Sequence, residues 1–526
     1  MKIMSKIKAF VNALLYPVEK HFNLFFSVLL LHALVDLVYF YVWPEYTMRV
    51  FFHGVFFSYV LTLPCLLLEK TKRGNGVYKS LVLVVYLVSF LSDLFAHSIL
   101  DSSLDEDAAA AIMATNQSEF MECVQTHFSL LPCLIGLVVL FLLYKLYKRL
   151  SQVRLRFKYA WLGLIAIGAY ITFTSRAIHL GGIVGKTAIF SQAMSPVDLS
   201  QYRTQPDVTV DSSVQPEHVV MIVGESLSRN HCSIAGYEKE TTPLMSRLQK
   251  EGLLYNFPKA SAPDVHTLQV FQTLISQYRR EWKDSVDWFR CTTLPDVLHA
   301  AGYKTFWVSN QSKRGVCENT IGQYSDLFSE NYFVGNKLAG LKRKNLDEEL
   351  LPLLHPLLDD PAQHKFYLVH LMGSHFKFSK RYPESFDRFH ADEYAKYPSH
   401  QRQVLAEYDN SVLYNDSIVY ELMTMYENKE AIVFYFSDHG LDLYNSSPDY
   451  YGHAKKTEAS FHWGQEIPFF VYVTPAYKQR FPERVKQIEA AMNGDFRTDN
   501  MFYTIMDLIG AKFNKNDDVS RYTLFQ

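Results

Sequence analysis

The sequence predicts an α/β protein in two unlike parts. An N-terminal bundle of five transmembrane helices fills residues 1–175. After a mixed, polar linker (176–216), residues 217–526 form a domain with a largely parallel sheet covered by helices on both faces. Three observations predict this. Five long apolar runs crowd the first third of the 526-residue chain. Beyond about residue 205, helical patterns alternate with short, continuous apolar strands, the signature of a sheet buried on both sides. Several of those strands end abruptly in residues that bind metals.

The apolar runs are residues 22–43, 47–68, 78–98, 128–147 and 157–175. Each approaches the ~20 apolar residues that cross a bilayer. Five buried core helices in succession would be the alternative, and the loop charges argue against it. Lys2, Lys6 and Lys8 precede the first run; Lys70, Lys72, Arg73 and Lys79 lie between the second and third; Lys145, Lys148, Arg149, Arg154, Arg156 and Lys158 lie between the fourth and fifth. The loop 99–127 has no Lys or Arg and carries Asp101, Asp105, Glu106 and Asp107. Positive loops stay in the cytoplasm. The N-terminus is therefore expected inside, and the second domain beyond the membrane, which in a bacterium is the periplasm. No small-residue cleavage site follows the first run, so it reads as an anchor and not a removed signal.

A net charge of −2 gives no indication of nucleic acid as a partner. Of six cysteines, Cys123, Cys232, Cys291 and Cys317 fall on the outer side, where disulfides persist; four cysteines allow three pairings. In the membrane half, His32 and Asp36 share a helix face, and Asp93 lies near the outer end of the third run. Such residues usually face a bundle interior or a polar cavity; a structural pairing between helices is the plain alternative.

In the second half, "HVVMIVGES" (218–226) reads as a strand breaking into Gly-Glu-Ser. "TTPLMSRLQKEG" (241–252) reads as a Thr-capped helix closed by Gly252. "TLPDVLHAAGYKTFWVSNQ" (293–311) reads as helix, glycine, strand, and "KFYLVHLMGSH" (365–375) and "AIVFYFSDHG" (431–440) as strands. Glu225, His375, Asp438 and His439 each stand just past a strand's carboxyl end, where α/β sheets keep their chemistry. Any one of them alone could be a polar turn. Four together suggest a site for Zn2+ or Mn2+, and no cysteine pair is spaced for structural zinc.

In this order, and after five membrane helices, "VGESLSRNHCSIAGYEKETTP", "HLMGSH" and "YFSDHG" resemble the phosphoethanolamine transferases of Gram-negative inner membranes. These belong to the alkaline-phosphatase/sulfatase superfamily. The resemblance implies an alkaline-phosphatase-like periplasmic domain on a multi-pass inner-membrane anchor. It implies one tightly bound zinc ion, with a second left open, held by Glu225, Asp438, His439 and the nucleophile Thr267. It gives His375 and His453 to the transferred phosphoryl group or a second metal, and Lys313 or Arg314 to a phosphate contact. Asn116 and Glu119, in "ATNQSE", would help seat lipid or acceptor. The donor would be phosphatidylethanolamine, attacked by Thr267 with release of diacylglycerol. The acceptor would be lipopolysaccharide, at lipid A or a core sugar, or periplasmic glucan. Leu441 stands where many members have Glu, with Asp442 next as a candidate substitute. His462 competes with His453, which is preferred because Gly-His after an aromatic is the family's usual form. Ser261 and Thr273 are alternatives to Thr267.

Other functions compete. A sulfatase or phosphodiesterase shares the fold, but the Cys-x-Pro-x-Arg or Ser-x-Pro-x-Arg nucleophile motif of sulfatases is absent; "CTTLPDV" does not fit. A membrane-anchored glycerol-phosphate transferase also uses a threonine. A non-enzymatic scaffold would not need Glu225, Asp438 and His439 together.

Overall fold

The unbroken apolar run His218–Gly224 forms a strand (β1) in which every residue is buried. It lies at the centre of a seven-stranded sheet with Leu254–Asn256 (β2), Lys304–Ser309 (β3), Glu330–Phe333 (β4), Lys365–His370 (β5), Ala431–Ser437 (β6) and Phe469–Val473 (β7). The order is β2-β7-β6-β1-β5-β3-β4. This computed structural model describes residues 2–40, 47–100, 130–151, 199–203, 205–282, 285–313, 320–334, 346–453, 457–516 and 518–525. The chain divides into two units, one holding the first helices and one holding the sheet.

β1 pairs parallel with both β5 and β6, and β3 pairs parallel with β4 and β5. β7 runs against β6 and β2, so the sheet is mixed. The reversal at β7 needs no crossover helix, since antiparallel neighbours can be joined directly. Alternate residues serve two cores. Val219, Met221 and Val223 pack with Phe271, Met501 and Phe502 on one face, while Val220 and Ile222 pack with Leu354, Ile418 and Leu422 on the other. Burying each such side chain is worth about 1.5–3 kcal/mol. Both faces are covered, as expected. The register also sets function: Val223 lies opposite both His370 and Phe436, and His370 opposite Ser309. Four adjacent strands thus end level.

The helix expected within 241–252 spans Pro243–Lys250, but Thr242 makes no side-chain cap bond. Its hydroxyl instead accepts from the Ile234 N–H. The cap is Asp416, far along the chain, which accepts from the Leu244 and Met245 N–H groups at 2.8 and 3.1 Å. Asp416 belongs to the long helix Ser399–Thr424, whose residues Tyr408, Asp409, Asn410, Ser411, Asn415 and Asp416 are all buried.

In the first unit, four of the five apolar runs contain helices: Phe22–Phe40, Thr47–Val60 followed by Leu63–Leu67, Lys72–Leu100, and Leu130–Leu150. The run 157–175 lies outside the described residues. A further helix, Lys2–Lys20, was not expected. Among the described residues one helix, Arg73–Ser92, is long and apolar enough to cross a membrane, or two if Ile3–Lys20 and Phe22–Leu34, bent by 77°, form one span. The described residues therefore do not reproduce a count of five spans. His32 is buried with its ring edge-on to Tyr86 at 5.0 Å, a packing role between helices. The side chains of Asp36 and Asp93 lie outside the described residues.

Residues 205–526 contain their own two-faced core and should fold when expressed alone, with one cooperative transition in urea. In that fragment Asp416→Ala should lower the unfolding free energy by about 1–2 kcal/mol, because two helix N–H groups lose their acceptor. A transition unmoved by the substitution would contradict the capping role.

Candidate metal centre

The level strand ends bring Glu225, Asp438 and His439 together. Glu225 follows β1, and Asp438 and His439 follow β6. Their ligand atoms all lie within 4.8 Å of one another. All three residues are at most 2% exposed. His439 Nε2 lies 3.3 Å from Glu225 Oε1 and 3.6 Å from Asp438 Oδ2.

Each ligand is fixed from behind. His439 Nδ1–H donates to the Gly440 carbonyl at 2.8 Å, which turns the Nε2 lone pair toward the carboxylates. Asp438 Oδ1 accepts from the His439 and Ser226 N–H groups at 2.7 and 3.2 Å. Glu225 Oε1 accepts from the Ser226 hydroxyl at 2.7 Å, and Oε2 from Gln311 at 3.0 Å. Gly373, at φ +51°, closes over this carboxylate's backbone. A Cβ there would meet the Glu225 carbonyl oxygen at 2.7 Å and nitrogen at 2.8 Å, so only glycine fits.

Thr267 opens the helix Thr267–Leu274, and its hydroxyl donates to Glu225 Oε2 at 3.3 Å. The segment before it is pinned by Asp264, which accepts from the Val265 N–H, the His266 N–H and ring, and Arg280. Of the two alternatives, Thr273 is buried and donates to its own helix at Val270, and Ser261 sits in the short strand Ala260–Ser261. Neither has a described bond to the cluster.

The electrostatics call for positive charge between the carboxylates, which a proton on His439 or a metal ion can supply. Burial raises the pKa of Asp438, and the neighbouring Glu225 charge raises it further, to about 7. Burial also opposes ionisation of Glu225, but contact with His439 holds its carboxyl well below the ordinary range. Burial disfavours a charged His439, yet Asp438 and Glu225 outweigh it and lift the imidazole to about 9. Two buried carboxylates repel unless positive charge sits between them. Asp438 Oδ2 and His439 Nε2 are buried atoms without a hydrogen-bond partner. Two carboxylate oxygens, one imidazole nitrogen and the Thr267 hydroxyl make four donors of the types that suit tetrahedral zinc. The residues fit the ion.

The other expected residues are placed as follows. The His453 ring lies 4.2 Å from that of His439, and its Nδ1–H donates to the Val265 carbonyl at 2.6 Å. His462 sits on the helix Glu458–Gln465 with its side chain 66% exposed, 3.8 Å from Glu466. His375 is half-buried, with Nδ1–H on the Phe376 carbonyl at 2.9 Å, and Arg381 donates to the carbonyls of both residues. The Lys313 ammonium contacts Asp326 and Asn331. Arg314, Asn116 and Glu119 lie outside the described residues. Asp442 accepts from Asn445 and Ser446, closing a turn, and is not in the cluster; Leu441 is buried among apolar neighbours. Cys232 and Cys291 carry free thiols, while Cys123 and Cys317 lie outside the described residues.

Several contributors were missed from sequence. Gln311 lies in a quoted strand end, yet nothing local announces that it holds Glu225. The motif residues after Glu225 prove to be scaffold. His231 and Tyr237 converge with Tyr394 on buried Asp409, and Arg229 and Asn230 on Glu466.

Comparison with known proteins identifies the family. Residues 217–511 match the sulfatase family. This chain is a member of the sulfatase family. Its relatives include phosphoethanolamine transferase EptC of Escherichia coli (strain K12), 27% identical over 315 residues, covering 58% of this chain and 53% of that protein. This sulfatase-family chain thus spans about half the length of EptC. Phosphoethanolamine transferase CptA of Salmonella typhimurium (strain LT2) is 25% identical over 484 residues, 85% of this chain and 82% of that protein. The resemblance seen in the motifs is met by these relatives. The crystal structure of the C-terminal periplasmic domain of the Escherichia coli EptC, a complex with Zn, superposes with a TM-score of 0.56 at 25% identity, covering 62% of this chain and 90% of that one. The integral membrane protein EptA of Neisseria meningitidis shares the fold over 95% of this chain and 96% of that one, with a TM-score of 0.66 at 20% identity.

Full-length protein purified in detergent should carry zinc, and an Asp438→Ala, His439→Ala double variant should lose most of it. Metal analysis by mass spectrometry decides this; zinc retained at the wild-type ratio would contradict the ligand set.

Proposed function

We propose that this protein is a zinc-dependent phosphoethanolamine transferase of the bacterial inner membrane. It moves phosphoethanolamine from phosphatidylethanolamine to a cell-envelope acceptor, lipopolysaccharide or periplasmic glucan, and releases diacylglycerol. Its N-terminus is cytoplasmic and its catalytic domain periplasmic. The observation that carries this reading is the Thr267 hydroxyl donated to Glu225 at the edge of the buried Glu225, Asp438 and His439 cluster. Relatives named phosphoethanolamine transferases supply the group that is moved.

Bound zinc would lower the cost of a threonine alkoxide and of charge building on the phosphoryl oxygens. The chain's own residues do the rest. Thr267 Oγ attacks phosphorus in line, forming a Thr267 O–P bond as the bond from phosphorus to the glycerol oxygen breaks. The Thr267 proton passes to a histidine Nε2 at the site, and the departing glycerol oxygen takes that proton to leave as diacylglycerol. An acceptor oxygen then attacks the phosphoethanolamine-threonine and restores the hydroxyl. Splitting the transfer into two displacements replaces one hard step by two easier ones. His453 and His375 hold their Nδ1–H groups on carbonyls, so each keeps Nε2, which has no hydrogen bond among the described residues, to take a proton from an attacking hydroxyl and return it. Thr267 at a helix start also sets the first turn's N–H groups toward the phosphoryl anion.

Given phosphatidylethanolamine in liposomes and no acceptor, the full-length protein should gain the mass of one phosphoethanolamine on the peptide containing Thr267, and added acceptor should discharge it. Thr267→Ser should keep part of the activity, and Thr267→Ala should lose adduct and transfer together. His453→Ala should slow transfer by about 10²- to 10⁴-fold. Release of free phosphoethanolamine to water without any adduct would instead indicate a hydrolase.

A further inference from the structure

We propose that Ser226 is a positioning residue that aligns the two metal-binding carboxylates, and that Tyr408 locks it in place. The inference rests on the zinc reading of Glu225, Asp438 and His439. Among the described residues outside the ligand set, Ser226 is the one with bonds to both carboxylates through different atoms. Its hydroxyl donates to Glu225 Oε1 at 2.7 Å and its N–H to Asp438 Oδ1 at 3.2 Å. Each carboxylate thereby has one oxygen held by Ser226, while Asp438 Oδ2 has no hydrogen-bond partner among the described residues.

One residue reaches both because its backbone is left-handed, at φ +55°. A serine resists that conformation, which only glycine adopts freely. Something must therefore hold it. The Tyr408 hydroxyl donates to the Ser226 carbonyl at 2.9 Å and accepts from the Ser228 N–H at 2.8 Å, clasping the turn on both sides. The Leu227 N–H between them donates to the Ser437 hydroxyl at 2.8 Å, and that hydroxyl donates to the His439 carbonyl at 2.8 Å. Tyr408 is itself fully buried, with the His231 ring edge-on at 5.0 Å. Strain in the turn and its clasp are thus joined directly to three zinc ligands. Groups that orient metal ligands from behind typically change metal affinity by about 10–100-fold when removed.

The test is the zinc dissociation constant of the full-length protein in detergent, measured by competition with a chelator of known affinity. Ser226→Gly keeps the left-handed backbone and the N–H on Asp438 but removes the hydroxyl; zinc should bind about tenfold more weakly. Tyr408→Phe keeps the ring and removes the clasp, and should also weaken zinc about tenfold. Because Tyr408 acts through Ser226, the double variant should lose less than the product of the two. Tyr367→Phe, which removes another buried hydroxyl, bonded to the Leu357 carbonyl at 3.0 Å, should leave zinc affinity unchanged while lowering thermal stability. Zinc binding within twofold of wild type in Ser226→Gly overturns the proposal even if Tyr408→Phe fails to fold. Losses that multiply, or an equal loss in Tyr367→Phe, overturn the locking role. A wild-type protein that binds no zinc would sink the zinc reading itself, a result distinct from all of these.

Discussion

Two carboxylates that water cannot reach govern this structure. Glu225 and Asp438 are almost wholly buried, and both face one imidazole nitrogen. Like charges in such a place are tolerated only with a compensating cation or a captured proton. Neighbouring elements deliver the donors or keep them from turning away. The sheet delivers them: β1 and β6 are neighbours in exact step, so their next residues meet. The Thr267 helix delivers the hydroxyl.

Holding such a cluster requires a scaffold that is polar inside yet fully bonded. The helix Ser399–Thr424 supplies it. Tyr408 holds the turn after β1, Asp409 gathers His231, Tyr237 and Tyr394, Ser411 bonds Ser374, and Asp416 caps a neighbouring helix. A buried polar group left unpaired costs about 1–3 kcal/mol, so these bonds bind loops to one rigid helix far more strongly than apolar packing alone would specify. The geometry of the cluster is thus supported by a helix that has no described hydrogen bond to Glu225, Asp438 or His439.

Much of this was legible in the chain. Strands ending in Glu225 and in Asp438-His439 are visible as apolar runs that stop at ligand residues, and parallel pairing makes such ends meet. Thr267 was reached through resemblance, since nothing in "DVHTLQ" marks a nucleophile. The clasp of Tyr408 on Ser226 was not legible, because it joins residues 182 apart in the chain and a tyrosine in a long helix looks like ordinary core. The antiparallel run of β7 escaped for a similar reason: an apolar pentad carries no direction. In the first unit, periodicity gave the apolar runs but missed the helix Lys2–Lys20, whose charges read as a loop.

The central claim is that Glu225, Asp438, His439 and Thr267 surround one zinc ion. The most direct measurement is the zinc K-edge X-ray absorption spectrum of the zinc-loaded full-length protein. It should show only oxygen and nitrogen neighbours at about 2.0–2.2 Å, with the outer scattering of a single imidazole, and Thr267→Ala should change the near-edge shape. Sulfur neighbours at about 2.3 Å, or a spectrum identical in Asp438→Ala, would contradict it.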